Sequence, residues 1–230
     1  MSETVIEVRA ASRNYGEGEA LVQALDQMSF DIQKGEFAAL VGPSGSGKST
    51  LLNLIGGLDT PSSGEIVLAG KPISTMTGTQ LSDFRRDHIG FIFQSYNLIP
   101  VLNAAENVEY VMLIQGVPAK ERKSRTAEAL KAVGLEGKEH RRPGELSGGQ
   151  QQRVAVARAL VSRPDIILAD EPTANLDSHT GAALLDMMKD LNENQGITFL
   201  FSTHDPMVME RAKRLIRLKD GRLDQDEKRV

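Results

Sequence analysis

The segment that most constrains this chain is GPSGSGKS, residues 42–49, which stands between the apolar runs EFAALV and TLLNL. A strand therefore gives way to a helix through a loop of glycines and hydroxyls. The glycines let several backbone N–H groups point inward at an anion, and the following helix adds the positive end of its dipole. The residues that we predict to surround a phosphate are Gly42, Pro43, Ser44, Gly45, Ser46, Gly47, Lys48, Ser49 and Thr50.

The spacing of this loop fits the pattern G-x-x-x-x-G-K-[ST], in which the last two positions have separate tasks. Lys48 supplies a positive charge for the outer phosphates, and the Ser49 hydroxyl can bind Mg²⁺. The alternative is a glycine-rich turn that binds nothing. The strand before the loop and the helix after it favour the phosphate loop.

A second candidate site is the acid pair Asp170 and Glu171, which ends the apolar segment at residues 166–169. The last residues of a strand inside a parallel sheet lie at the carboxyl edge of the sheet, where ligands bind. Asp170 can hold Mg²⁺ there, directly or through water, and Glu171 can orient and deprotonate an attacking water. The alternative is an acid pair that caps a helix.

A third candidate site is LSGGQ, residues 146–150, which precedes another helical pattern. Ser147 is placed to cap that helix, and the amides of Gly148 and Gly149 form a second helix start that faces an anion, with Gln150 beside them. The alternative is an ordinary flexible turn. The chain thus carries two helix starts of a phosphate-binding type.

The order of predicted elements indicates an α/β fold. Strands and helices alternate in the first and last parts of the chain, which predicts a mostly parallel sheet covered on both faces. Residues 96–163 are helical in pattern and look like an insertion into that sheet.

The amino-acid composition argues against several functional classes. The net charge is −4, only 4% of residues are aromatic and there is no Trp, so we expect no nucleic-acid partner. The absence of Cys excludes disulfides, thiolate metal sites and thiol catalysis. The first residues do not resemble a secretory signal, and no apolar run is long enough to span a membrane. Any role at a membrane is therefore expected to come through a partner.

The three motifs, in this order and spacing, resemble the nucleotide-binding subunit of ATP-binding cassette (ABC) transporters over nearly the whole chain. The resemblance implies a P-loop NTPase core, with an N-terminal antiparallel β subdomain, at residues 1–95 and 164–230, and a helical signature subdomain at residues 96–163, in a single ABC ATPase domain. It also implies ATP and Mg²⁺ as cofactors. ATP hydrolysis would rest on Glu171 and Lys48.

The same resemblance assigns roles to four further residues, three of which have a plainer alternative. Tyr15 resembles the residue that stacks on adenine, although it also fits a surface turn. Gln94 resembles the glutamine that touches Mg²⁺ and the attacking water, although it fits a strand end as well. Asp177 lies in a loop that crosses to a second subunit. His204 resembles the histidine that contacts the γ-phosphate, although a histidine that ends a strand is often structural.

The resemblance further implies a head-to-tail homodimer, in which the phosphate loop of one chain and LSGGQ of the other close on each ATP. It implies an integral membrane partner and a place on the cytoplasmic face of the membrane. Within the family, IGFIFQSYNLIPVLNAAENV and ILADEPTANLDSHTG resemble the subgroup that serves lipoprotein release, macrolide or peptide export, and cell division (the LolD, MacB and FtsE type). The partner surface is expected to include residues after Gln94 and residues 140–145. The alternatives are a soluble ABC-type ATPase and a nucleotide-gated regulator, neither of them coupled to transport.

Overall fold

The computed structural model describes residues 3–229, except for the side chain of Glu19, and contains ten strands and seven α-helices within that range. The strands are β1 (Thr4–Tyr15), β2 (Val22–Gln33), β3 (Phe37–Val41), β4 (Ser63–Leu68), β5 (Lys71–Pro72), β6 (Ile89–Ile92), β7 (Ile166–Asp170), β8 (Phe199–Thr203), β9 (Arg214–Lys219) and β10 (Arg222–Lys228). The helices are α1 (Lys48–Ile55), α2 (Gly78–His88), α3 (Ala104–Ile114), α4 (Ala119–Ala132), α5 (Gly148–Val161), α6 (Ser178–Gln195) and α7 (Pro206–Arg211).

A six-stranded sheet with the order β10-β9-β3-β8-β7-β6 forms the centre of the fold. The strands from β9 to β6 pair in parallel, and only β10 is antiparallel to its neighbour. β3 and β8 are buried along their whole length, as expected for central parallel strands that are covered on both faces. The α/β fold with a mostly parallel sheet is therefore confirmed.

The central strands separate two hydrophobic cores. Successive side chains of a strand point to opposite faces, so Phe37 and Val41 of β3 pack into one core while Leu40 packs into the other. The first core contains residues of α3, α4, α5 and α6. The second contains α1, α2 and the antiparallel sheet β2-β1-β4-β5, which is the N-terminal β layer expected from the sequence.

The helices α3, α4 and α5 follow one another along the chain between β6 and β7. α3 begins with a capping box, because the Asn103 side chain accepts the Glu106 backbone N–H while the Glu106 carboxylate accepts the Asn103 N–H. The exact limits proposed for the helical subdomain, 96–163, stay a prediction. Across residues 3–229, none of the helices has both the length and the apolar character needed to traverse a bilayer.

Candidate functional site

The phosphate loop links β3 to α1, and its conformation depends on glycine. Gly47 precedes α1 with φ 99°, a left-handed value that disfavours any residue with a Cβ. A Cβ at Gly47 would lie only 2.7 Å from Leu25 Cδ2 and 2.8 Å from the Ala24 carbonyl oxygen. Gly45 also has a positive φ, 79°, but a Cβ there would meet nothing within 4 Å. The loop is therefore pressed against β2 at its end and open to solvent at its centre.

The lysine of the loop is held in place by the loop itself. Lys48 Nζ donates to the carbonyl oxygens of Gly42 and Pro43 at 2.8 and 2.9 Å, and the residue is only 8% exposed. A cation restrained in this way needs little rearrangement to meet an anion that enters the loop. Its placement fits the predicted contact with the outer phosphates of a nucleotide.

Ser49 and Asp170 come together from distant parts of the sequence, with Ser49 Oγ 3.4 Å from Asp170 Oδ1. A hydroxyl and a carboxylate are hard oxygen ligands of the kind that Mg²⁺ prefers, usually completed by water and substrate phosphates. The donor set therefore fits Mg²⁺ that is held jointly by the protein and a triphosphate.

The sheet brings the other catalytic candidates to the same edge. β8 lies between β3 and β7, with Val41 paired to Thr203 and Asp170 paired to Ser202. The phosphate loop, Glu171 and His204 consequently follow the carboxyl ends of three adjacent strands, where open parallel sheets bind ligands. They border a cleft of about 670 Å³. Its walls are Val22, Gln23, Ala24, Pro43, Ser44, Gly45, Gly47, Lys48, Ser49, Thr50, Gln94, Glu171 and His204.

Glu171 is the most constrained of these residues. Its φ of 45° is left-handed, which is uncommon for a residue other than glycine and is often found at functional sites. One carboxylate oxygen lies 2.7 Å from His204 Nδ1, and the other accepts the Thr203 hydroxyl at 2.9 Å. Sequence reasoning missed Thr203, although a hydroxyl beside the strand-ending histidine was the available signal.

Gln94 lies at the cleft, two residues beyond β6, and is joined to the segment that follows Glu171. Asn175 Nδ2 donates to the Gln94 carbonyl at 2.9 Å, while the contact between the two side-chain amides is long at 3.5 Å. Asp177 caps α6 and accepts the Thr180 backbone N–H and hydroxyl. The hydrogen bond from the Thr180 hydroxyl, assisted by backbone N–H groups, lowers the pKa of Asp177, so its carboxylate remains ionised at neutral pH.

Tyr15 lies beside the cleft and is not among the residues that line it. Its hydroxyl donates to Asp59 at 2.8 Å, and the Arg13 guanidinium lies 4.6 Å from the ring centroid. Tyr15 pairs in register with Val22, which does line the cleft. The predicted stacking on adenine stays a prediction.

The structure does not bring LSGGQ to the phosphate loop of the same chain. Ser147 caps α5 in a capping box, accepting the Gln150 N–H at 3.3 Å while the Gln150 side-chain oxygen accepts the Ser147 N–H at 3.1 Å. Within the part of the chain that the structure describes, residues 147–150 contribute nothing to the lining of the cleft. The second helix start therefore faces a different surface.

The strand, loop and helix at residues 37–55 and the acids at the sheet edge define a P-loop nucleotide-binding protein. A family model described as ABC transporter matches residues 25–174. A macrolide export ATP-binding/permease protein, MacB, of Mannheimia succiniciproducens is 49% identical over 222 residues, covering 96% of this chain and 34% of that protein. An ABC transporter ATP-binding protein of Thermotoga maritima is 48% identical, covering 98% of this chain and 96% of that protein.

One similar solved structure is the dimeric, post-hydrolysis state of the ATP-binding cassette MJ0796 bound to ADP and Pi. That protein comes from Methanocaldococcus jannaschii. The two structures superpose with a TM-score of 0.88 at 44% sequence identity, covering 97% of this chain and 98% of the other. The chain therefore belongs to the ABC transporter family and is an ATP-hydrolysing cassette. The likeness to MacB confirms the subgroup, although this chain spans only about a third of the MacB length.

The glycines of the loop allow a matched test. We expect Gly47→Ala to lower the free energy of unfolding by about 1–3 kcal/mol more than Gly45→Ala, because only the first Cβ collides with neighbouring atoms. Both variants share the cost of a positive φ, so their difference isolates the collision. Urea unfolding measures it. Equal losses in the two variants would contradict the placement of the loop against β2.

Proposed function

We propose that two copies of this chain associate head to tail around two Mg-ATP and use ATP hydrolysis to drive a separate membrane protein. The observation that carries the dimer is the separation of the two phosphate-type helix starts. α1 begins at the cleft, whereas the α5 start at Ser147 contributes nothing to it in the described residues. A second chain can supply the missing helix start to each triphosphate. The dimeric cassette of MJ0796 bound to ADP and Pi supports this arrangement.

In this proposal, each residue in and around the cleft has a separate role in phosphoryl transfer. Lys48 meets the outer phosphates, and Ser49, Asp170 and Gln94 would hold Mg²⁺, whose charge would offset that of the phosphate oxygens. Glu171 orients the attacking water and accepts its proton, and His204 contacts the γ-phosphate. Tyr15 stacks on adenine. Ser147, Gly148, Gly149, Gln150 and Asp177 act on the ATP of the partner chain.

Glu171→Gln tests the assignment of the base. A glutamine cannot accept the proton of water, so we expect kcat to fall by roughly 100-fold or more while Mg-ATP still binds. Size-exclusion chromatography with Mg-ATP should then show a stable dimer. The control is Glu193→Gln, which removes an exposed carboxylate paired with Lys213. Normal hydrolysis by Glu171→Gln would refute the role of Glu171.

Ser147→Arg tests whether the site is shared between chains. We expect the variant to bind Mg-ATP as the native chain does, because residue 147 lies outside its own cleft, and to lose both dimer and turnover. Calorimetry measures the binding, and light scattering measures the dimer. Ser124→Arg, on an exposed position of α4, is the control. Loss of ATP binding by Ser147→Arg would place the whole site within one chain.

The proposed membrane partner docks in a groove of about 510 Å³ beside the loop that follows Gln94. Its rim exposes Leu58, Tyr110 and Ile114, which are 47%, 45% and 54% accessible and give it an apolar edge. Arg158 lies on its wall, and burial lowers the pKa of this guanidinium. The Arg158 guanidinium donates to the carbonyls of Tyr96 and Asn97, while Arg85 and Arg86 also line the groove with, among residues 3–229, a single carboxylate, Asp83. Because cations outnumber carboxylates on its walls, an amphipathic segment with an acidic group complements the groove. Residues 140–145 do not line it.

The similarity to an export ATP-binding/permease protein supports export or extraction as the task, with this chain on the cytoplasmic face of the membrane. The cargo belongs to the partner and is not specified by these residues. The alternative of a soluble ABC-type ATPase or nucleotide-gated regulator predicts no dependence on the groove.

Adjacent residues of α3 provide the test of docking. Ile114 lines the groove and is 54% exposed, whereas Leu113 is 52% exposed and does not line it. We expect tagged Ile114→Glu to leave the membrane fraction of its native host, while Leu113→Glu and the native chain remain and cross-link to one integral membrane protein. Both variants should bind Mg-ATP normally. Membrane release of both, or of neither, would contradict the docking site, and a native chain found only in the soluble fraction would favour the alternative.

A further inference from the structure

Gln152 is a fully buried polar residue in the second turn of α5, with 0% of its surface exposed. An uncharged amide at such a position must find hydrogen-bond partners inside the protein, because it has lost those of water. The Ser147 motif occupies the first turn of the same helix. Gln152 therefore stands directly behind the helix start that is proposed to face the partner chain's ATP.

The side-chain amide of Gln152 donates to two backbone carbonyls, at 2.8 Å to Pro172 O and 3.4 Å to Phe93 O. A carbonyl oxygen can only accept, so these two contacts fix which end of the amide is the nitrogen. Pro172 follows Glu171 directly, and Phe93 precedes Gln94 directly. One buried amide thus touches the backbone beside two residues of the cleft.

The other end of the same side chain has no partner. Gln152 Oε1 is buried and forms no hydrogen bond within the described chain. An unsatisfied buried acceptor lowers stability, and an apolar side chain of similar size would avoid that cost. The residue is therefore poorly explained as a device for stability alone. Its two donated hydrogen bonds are the contacts that an apolar residue would lose.

Asn192 of α6 offers an internal comparison. It is 4% exposed, and its amide likewise donates to two backbone carbonyls, at 2.8 Å to Gly35 and 2.7 Å to Ile197. Those carbonyls lie before the amino ends of β3 and β8, at the end of the sheet opposite to the cleft. Both amides donate to two backbone carbonyls, although the Gln152 contact with Phe93 is longer, and of the two only Gln152 does so beside catalytic candidates.

We propose that Gln152 is a positioning residue, which ties the first turns of α5 to the backbone at Pro172 and Phe93, the neighbours of Glu171 and Gln94. Through this tie, the helix that carries Ser147 fixes where the carboxylate and the glutamine stand in the cleft. A displacement of α5 is passed to both of them through one side chain. This inference rests on the proposed function, because it takes the roles of Glu171 and Gln94 from there.

Gln152→Met tests the tie, because it keeps the approximate volume of the side chain and removes the donor. In the full chain we expect kcat for Mg-ATP to fall roughly tenfold or more while KM changes less than about twofold, since the phosphate loop is untouched. Asn192→Leu is the matched control, with a comparable loss of melting temperature and an unchanged kcat. Gln152→Asn shortens the side chain by one methylene and should also lower kcat. This second variant replaces Gln152→Met in the test if the Met variant does not fold.

Three results would overturn the proposal: an unchanged kcat in the Gln152 variants, a rise in KM alone, or an equal fall of kcat in Asn192→Leu. Glu171→Gln is measured in the same series. If Glu171→Gln is inactive and Gln152→Met is fully active, only the positioning role of Gln152 is refuted. If Glu171→Gln hydrolyses ATP normally, the assignment of the base fails, whatever the Gln152 variants do.

Discussion

The parallel register of β3, β8 and β7 is the constraint on which the rest of this molecule depends. β8 pairs with β3 through Val41 and Thr203, and with β7 through Asp170 and Ser202, so all three strands end at one level. Strand pairing, and not the conformation of a long loop, therefore brings together residues that are far apart in the chain. The phosphate loop, the acid pair and the histidine leave that edge together, which is the position where open parallel sheets bind ligands. A shift of one residue in either pairing would separate Ser49 from Asp170, and a shift between β7 and β8 would also separate Glu171 from His204.

Glu171 illustrates how the sheet edge holds a costly conformation. A left-handed φ in a residue with a Cβ costs about 1–2 kcal/mol. The backbone N–H of Glu171 donates to the Ser202 carbonyl at 2.9 Å, and its carboxylate is held by Thr203 and His204. These contacts offset the cost and point the carboxylate into the cleft. The acid is therefore already oriented in the isolated chain, and its alignment comes from β8 as much as from its own strand.

Much of this architecture could be predicted from the sequence, because the signals are local. The glycines at 42–49 by themselves predict the conformation of the loop. In LSGGQ, Ser147 and Gln150 by themselves predict a capped helix start. What could not be predicted depends on contacts between distant segments. The bond from Thr203 to Glu171, the left-handed backbone of Glu171 and the buried amide of Gln152 depend on the pairing of β8 with β7 and on the position of α5 beside the turn after β7. A glutamine in a polar helix start is expected to be solvated, and only the tertiary fold makes this one interior.

The packing of α5 also bears on the proposed dimer. Gln152 bonds the carbonyls of Phe93 and Pro172, and Arg158, three turns from the helix start, donates to the carbonyls of Tyr96 and Asn97. The helix is thus fastened to the segment after β6 and to the turn after β7. Swinging its first turn into the cleft of its own chain would break these bonds, including the buried one from Gln152 to the Pro172 carbonyl, and an unsatisfied buried carbonyl is costly. A neighbouring chain can present the same helix start to the cleft with every one of these bonds intact. In the proposed dimer, each α5 therefore keeps its own hydrogen bonds while its first turn meets the ATP of the partner chain.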